Sequence, residues 1–157
     1  MSDVASATAD DRSAAPSPTA LVRRFLDLLQ RSEVEAATAL MAEDVEFVNV
    51  SLPAVRSRDR VRRLLGRALG LPGAGLEVYI HGISTDGDAV VTQRTDVLVL
   101  GPVRVQVWVW GRFDVVDGRI ATWREYFDWG NVAFATLRGL VGAVIPGLRP
   151  SPPPVQS

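Results

Sequence analysis

Helical periodicity dominates the first half of the chain. From residue 19 onward, apolar residues recur every three or four positions, which predicts a helix with one apolar face. Ser32 and Glu35 have the spacing of a capping box and predict a second short helix. A strand at 45–50 follows, and apolar residues at helical spacing predict a third helix over 57–70.

The second half of the chain has the alternation of β-strands. Turn dipeptides separate four β-rich segments, at 76–84, 88–100, 103–116 and 119–128. These segments predict an antiparallel meander, which an apolar helix over 131–145 closes. The resulting order of elements predicts an α+β domain in which helices cover the concave face of a curved sheet. Such a fold can enclose a pocket between the sheet and the helices.

Small polar residues and proline mark both ends of the chain. Residues 1–18 are mostly Ala, Ser, Asp and Pro, and residues 146–157 contain five prolines. Because neither segment has enough apolar surface to offset its ordering entropy, we expect both to be disordered around a single domain at 19–145. The acidic N-terminal segment lacks the features of a signal peptide, and no apolar run is long enough for a membrane span. We therefore expect a cytoplasmic protein without membrane insertion.

The composition excludes several kinds of catalysis. The chain has no cysteine, all 17 of its basic residues are arginine, and its one histidine is His81. Thiolate, Schiff-base and multi-histidine zinc chemistry are therefore excluded, and we expect no metal site. In an enzyme without a cofactor, proton transfer would have to use Asp, Glu or Tyr, with arginine as a fixed cation. The net charge of -1 gives no indication of a nucleic-acid partner.

Charged residues occupy the middle of one predicted strand. Arg94 and Asp96 share a face of segment 88–100 and have apolar neighbours on both sides. They form either an inexpensive ion pair at a sheet edge or a functional pair inside the pocket. Asp128 follows an aromatic run and, taken alone, indicates a helix cap. Asn49 ends the first strand and, taken alone, indicates a turn residue.

Three segments together resemble a known enzyme family. They are TQRTDVLVLGPVRVQVWVWGRF, DGRIATWREYFD and the FVN that ends the first strand. They resemble the limonene-1,2-epoxide hydrolases, most closely the actinobacterial, mycobacterial-type members, and the resemblance extends from about Leu21 to Leu148. It implies the curved-sheet cone of nuclear transport factor 2, also called cystatin-like. It further implies a homodimer without a cofactor that converts an epoxide and water to a vicinal diol with no covalent intermediate.

The resemblance also implies a role for individual residues. It makes Asp128 the general base that activates water, Asp96 the general acid that protonates the epoxide oxygen, and Arg94 the bridge between the two. Asn49 corresponds to an asparagine that holds the water. A tyrosine with the same task in the family corresponds to Phe47 here, which can neither donate nor accept a hydrogen bond. We therefore expect reduced activity, with an activation barrier that is higher by roughly 1–3 kcal/mol.

The expected pocket wall is apolar, which favours a lipophilic epoxide of the terpene, fatty or sterol-like kind. Two alternatives stay open. One is a polyketide cyclase or steroid-type isomerase on the same fold, and the other is a non-catalytic protein that binds a lipophilic ligand. The residues expected on the wall are Phe47, Leu26, Leu29, Leu98, Val107 and Val109.

Overall fold

Residues 16–153, described here in a computed structural model, form four α-helices and six β-strands. A short 3₁₀ turn at Pro146–Leu148 follows the last helix. The elements in chain order are α1 Pro18–Gln30, α2 Val34–Ala39, β1 Met41–Asn49, β2 Val55–Arg56, α3 Arg58–Leu69, β3 Ala74–Asp86, β4 Ala89–Leu100, β5 Val103–Val116, β6 Arg119–Tyr126 and α4 Trp129–Val144.

The six strands form one sheet in the order β2-β1-β6-β5-β4-β3. Strands β3 to β6 are the predicted antiparallel meander, whereas β1 runs parallel to β6 and makes the sheet mixed. The hairpin between β5 and β6 turns at Asp117 and Gly118, with φ of 50° and 69°. This pair of left-handed residues is typical of the two-residue turn that matches the twist of the flanking strands.

Aromatic side chains join α1 to the inner face of the sheet. Phe25 of α1 is fully buried, and its ring lies 6.0 Å from Phe113 and 5.0 Å from Trp123 in edge-to-face geometry. Such pairs add about 0.5–1.5 kcal/mol each to the free energy of area burial. One end of the concave face is therefore a packed core, and the remaining length is available for a cavity.

Two local predictions from the sequence are wrong. Ser32 and Glu35 do not form a capping box, because Ser32 has φ of 59° and ends α1 instead. The backbone amides of Ser32 and Glu33 donate to the carbonyls of Leu29 and Leu28, which is the Schellman pattern at a helix C-terminus. The first strand begins four residues earlier than predicted, at Met41, and β2 was not predicted at all.

Helix α4 lies along the part of β5 that β6 leaves without a partner. β6 ends at Tyr126, opposite Trp110, so the first half of β5 extends beyond it. The residues of α4 that face inward are Ala135, Gly139 and Gly142. A side chain at Gly139 would overlap the backbone carbonyl of Arg104, so its absence lets helix and strand backbones meet.

The disorder predicted for the two chain ends, at 1–18 and 146–157, falls on segments that the structure describes only in part. Residues 146–153 have a defined path, with the 3₁₀ turn beside α4 and Arg149 Nε donating to the carbonyl of Gly142 at 3.1 Å. The remainder of the two segments, residues 1–15 and 154–157, lies outside the described range, and its disorder stays a prediction. Among the described helices, none combines the length and apolar character required to cross a membrane.

The close approach of α4 to β5 gives a stability prediction. Gly139→Ala introduces a methyl group against backbone and should lower the free energy of unfolding by about 1–3 kcal/mol. Gly66→Ala is the matched control, since Gly66 lies in α3 with open space around it, and should raise stability by about 0.5–1 kcal/mol. Urea unfolding measures both changes, and equal effects at the two positions would contradict this packing.

Candidate active site

A cavity of about 330 Å³ lies between the concave face of the sheet and helices α1, α3 and α4. All six residues expected on its wall line it, together with three of the four expected catalytic residues, Asn49, Arg94 and Asp96. Apolar side chains from α3 and from the start of α4 complete the wall. The six predicted wall residues are Leu26, Leu29, Phe47, Leu98, Val107 and Val109.

Arg94 is the most deeply buried charge of this cavity. Its side chain is 2% exposed, because it lies on the inner face of β4, which has a strand on each side. Its Nε donates to Asp96 Oδ1 at 2.9 Å, and its Nη2 donates to Asp96 Oδ2 at 3.1 Å. Arg94 and Asp96 are thus a buried pair inside the cavity and not a pair at the edge of the sheet.

The second partner of Arg94 is Glu125 and not Asp128, so the predicted bridge between Asp96 and Asp128 is wrong. Arg94 Nη2 lies 2.6 Å from both carboxylate oxygens of Glu125. Asp128 Oδ1 instead accepts from the backbone amides of Gly130 and Asn131, at 2.6 and 3.3 Å, and caps α4.

Strand alternation explains why Glu125 occupies the place expected for Asp128. Trp123 and Glu125 are buried and Arg124 and Tyr126 are exposed, so the odd positions of this part of β6 face the cavity. The strand ends at Tyr126, and Asp128 lies beyond it at the start of the helix. The same period-two pattern is visible in the sequence and could have identified Glu125.

Trp123 is a second residue that the sequence analysis missed. Its indole Nε1–H donates to Glu125 Oε1, so Glu125 accepts hydrogen bonds from both Arg94 and Trp123. Phe47 is buried and packs against the indole, with ring centroids 4.2 Å apart. Asn49 lies opposite Glu125 in the register of β1 and β6, so its side chain enters the cavity beside the carboxylate.

One arginine faces two carboxyl groups in this buried site. Burial raises the pKa of Glu125 to about 7, although Arg94 acts to lower it, and the negative charge of Asp96 raises it further. Burial also opposes the charge of Arg94, but Glu125 and Asp96 outweigh that effect and raise its pKa. Because the two carboxyl groups share one cation, Glu125 retains a proton up to near-neutral pH.

His81 lies on the opposite face of the sheet from this site. Its Nε2 forms a hydrogen bond with Thr95 Oγ1 at 2.8 Å, and its ring stacks on Trp108 at 5.0 Å. It therefore takes part in surface packing. Between residues 16 and 153 no group of three His, Cys, Asp or Glu side chains is placed to hold a metal ion.

Comparisons with known proteins identify similar sequences and structures. The sequence profile of the limonene-1,2-epoxide hydrolase catalytic domain matches residues 16–138. Epoxide hydrolase EphG of Mycobacterium tuberculosis is 44% identical over 128 residues, which are 82% of this chain and 85% of that protein. The structure of an M. tuberculosis LEH-like epoxide hydrolase matches with a TM-score of 0.78 and 43% identity, over 84% of this chain and 93% of the other.

More distant structures share the fold alone. A Catenulispora acidiphila protein with a ketosteroid isomerase-like fold matches at TM-score 0.66 and 16% identity, over 77% of this chain and 94% of the other. An NTF2-like protein of Cytophaga hutchinsonii matches at TM-score 0.61 and 15% identity, over 74% and 94%. The expected curved cone of the nuclear transport factor 2 type is therefore confirmed.

The raised pKa of Glu125 predicts a pH-dependent stability. Folding moves this pKa upward from 4.5 to about 7, so the native state binds the proton more tightly than the unfolded state does. The stability gained is complete below pH 4.5 and is lost as the pH rises through 7, at up to about 1.4 kcal/mol per pH unit for one proton. Urea unfolding of wild type and Glu125→Gln across this window measures the loss. A constant difference between the two curves would contradict it.

Proposed function

The chain belongs to the limonene-1,2-epoxide hydrolase family and is a hydrolase that acts on epoxides, and from this premise we propose that Glu125 and Asp96 divide the roles of base and acid. The observation that carries the proposal is the buried Arg94, which contacts both carboxyl groups at the cavity wall. Asp128 has no part in the reaction in this proposal, since its carboxylate is used by the α4 backbone amides.

The charge balance supports one shared proton. Arg94 neutralises one carboxylate, and a second ionised carboxylate in a buried site would be left without compensation. Arg94 contacts both carboxyl groups, at 2.6 Å for Glu125 and at 2.9 to 3.2 Å for Asp96, so a proton can pass between them without a large change in the charge of the site. The reactive form carries the negative charge on Glu125 and the proton on Asp96, and it is a tautomer of the form in which burial keeps the proton on Glu125.

The reaction then proceeds in one step. Glu125 takes a proton from a water molecule held beside Asn49, and the water oxygen bonds to an epoxide carbon. The carbon–oxygen bond of the ring breaks, and Asp96 delivers its proton to the departing oxygen, which completes the diol. Each positioned acid or base contributes about 10²–10⁴ in rate. The pair still holds one proton, and its return to Asp96 resets the site.

The substrate in this proposal is a lipophilic epoxide, because the cavity wall is apolar outside the charged group. No cofactor is needed, since both proton transfers use side chains of the chain itself. Phe47 supplies apolar surface and supports Trp123, so Glu125 and Asn49 hold the water without a third hydrogen bond. The loss of this hydrogen bond should raise the activation barrier by roughly 1–3 kcal/mol and so lower the activity.

We also propose a cytoplasmic homodimer that forms through the outer face of the sheet. Three aromatic residues of this face are highly exposed, Trp108, Trp110 and Tyr126, at 45, 47 and 41%. Trp110 and Tyr126 lie side by side on β5 and β6, so they form a continuous patch. Exposed aromatic patches of this kind mark protein–protein contacts, where aromatic residues are enriched.

The division of roles predicts the activity of four variants. Glu125→Gln and Asp96→Asn should each lower the rate of diol formation from lipophilic epoxides by about 10²-fold or more, because each removes one proton-transfer group. Asp128→Asn should stay within a few-fold of wild type, since asparagine also caps helices. Glu77→Gln is a matched control, as Glu77 pairs with Arg104 away from the cavity and its loss should not affect the rate. Diol analysis by mass spectrometry measures all four rates.

Two results would overturn the mechanism. The first is a loss of activity in Asp128→Asn while Glu125→Gln stays active, which would make Asp128 the base. The second comes from a single turnover in ¹⁸O-labelled water. Label in the Glu125 carboxyl would indicate a covalent ester, whereas direct attack puts the label only in the diol. Absence of diol from any epoxide tested would favour a ligand-binding role.

The proposed dimer predicts the effect of a charge in its interface. Wild type should sediment as a dimer, and Trp110→Arg should shift it toward monomer because an unpaired cation enters the contact. Leu52→Arg is the matched control, since Leu52 is also 47% exposed but lies in the turn after β1. A monomeric wild type, or a Trp110→Arg variant that remains dimeric, would contradict the proposed interface.

A further inference from the structure

Arg94 has three hydrogen-bonding nitrogens, and each of them has at least one acceptor. Nε donates to Asp96, Nη2 donates to Glu125 and Asp96, and Nη1 donates to Thr92 Oγ1 at 2.9 Å. Two sides of the guanidinium are thus used by carboxyl groups of the proposed mechanism. The third side is used by a neutral hydroxyl, which the mechanism does not involve.

The sheet register explains how Arg94 can reach across to Glu125. Thr92, Gly111 and Glu125 are direct neighbours on β4, β5 and β6, so they form one row across the concave face. The Arg94 side chain starts from β4 and must cross β5 to contact β6. A Cβ at Gly111 would overlap Arg94 Nη1 and also crowd Thr92 Oγ1. Because Gly111 has no side chain, the guanidinium of Arg94 can pass over β5 at this position.

The orientation of the Thr92 hydroxyl is fixed by its surroundings. Thr92 is fully buried, and its hydroxyl donates to the carbonyl oxygen of Gly111 over 3.4 Å. Its oxygen is thereby left to accept from Arg94 Nη1. Because Arg94 cannot lose its proton, the Nη1 hydrogens need an acceptor, and an unsatisfied buried donor costs about 1–3 kcal/mol.

We propose that Thr92 is a positioning residue of the epoxide hydrolase site, which holds Arg94 over Gly111 so that the guanidinium faces Glu125 and Asp96 together. This inference rests on the proposed function of those three charged groups. Thr92 is not one of the residues that line the cavity, and it acts through Arg94, which does line it. Without its hydroxyl, Nη1 turns toward another acceptor and the contacts of Nε and Nη2 with the carboxyl groups lengthen.

The test compares Thr92→Val with two other variants. Valine has a similar shape but no acceptor, so kcat should fall about tenfold or more while KM changes little. With Arg94 displaced, the acidic limb of the pH dependence of kcat/KM should move to higher pH, because Arg94 holds the pKa of Glu125 down. Thr92→Ser restores the hydroxyl and should return both values close to wild type.

Thr38→Val is the matched control for the loss of a buried threonine hydroxyl. Thr38 is 1% exposed and donates to the Val34 carbonyl within α2. Its replacement should lower stability but leave the pH dependence of kcat/KM unchanged. A purely structural role for Thr92 would give the same result as Thr38→Val, and that result would overturn the inference.

A measurement independent of turnover separates this inference from the mechanism. The pH dependence of unfolding reports the pKa of Glu125 even in a variant without activity. Thr92→Val should move that dependence to higher pH, and an unchanged curve would overturn the positioning role. Retained activity in Glu125→Gln would overturn the mechanism instead, whatever Thr92→Val does to the curve.

Discussion

Arg94 is buried against two carboxyl groups, and this three-charge cluster imposes the main constraint on the rest of the site. A lone guanidinium in the middle of a sheet would be strongly unfavourable, so each of its nitrogens has an acceptor from β4 or β6. One cation can compensate only one carboxylate, and the surplus favours a proton on the pair near neutral pH. The same imbalance gives the site both a proton donor and a proton acceptor, which is what the opening of an epoxide requires.

The sheet supplies the geometry that this cluster needs. Asn49 and Glu125 are neighbours between β1 and β6, and Glu125 and Gly111 are neighbours between β6 and β5. The packed aromatic row around Trp123 lies one step along the same strands and supports the indole that contacts Glu125. The charged residues of the site and the aromatic residues of the core therefore occupy neighbouring rows of one sheet. The charged side chains project from strands and not from loops.

Periodicity and turn chemistry in the sequence were sufficient to predict the meander and the closing helix, but they left Arg94 and Asp96 open between a sheet edge and the pocket. Strand parity could have placed Glu125 inside, since it alternates with Arg124 and Tyr126, which are exposed. The predicted bridge from Arg94 to Asp128 is wrong because it followed the resemblance, which matched an aspartate after an aromatic run, and not strand parity. Ser32 was misassigned because its left-handed conformation depends on how α1 ends. The role of Gly111 depends on a side chain from a neighbouring strand, although an isolated glycine inside a strand is a recognised indication of close approach.

The central claim is that Asp96 and Glu125 share one proton over Arg94. Carbon-13 NMR of the labelled carboxyl groups tests it most directly, with the two resonances assigned from Asp96→Asn and Glu125→Gln. The account predicts that the Glu125 resonance reports the loss of a proton at a pH of about 7, and that Asp96→Asn lowers this pH because the negative charge of Asp96 raises the pKa of Glu125. A Glu125 resonance that is already that of a full carboxylate at about pH 5 would contradict the account.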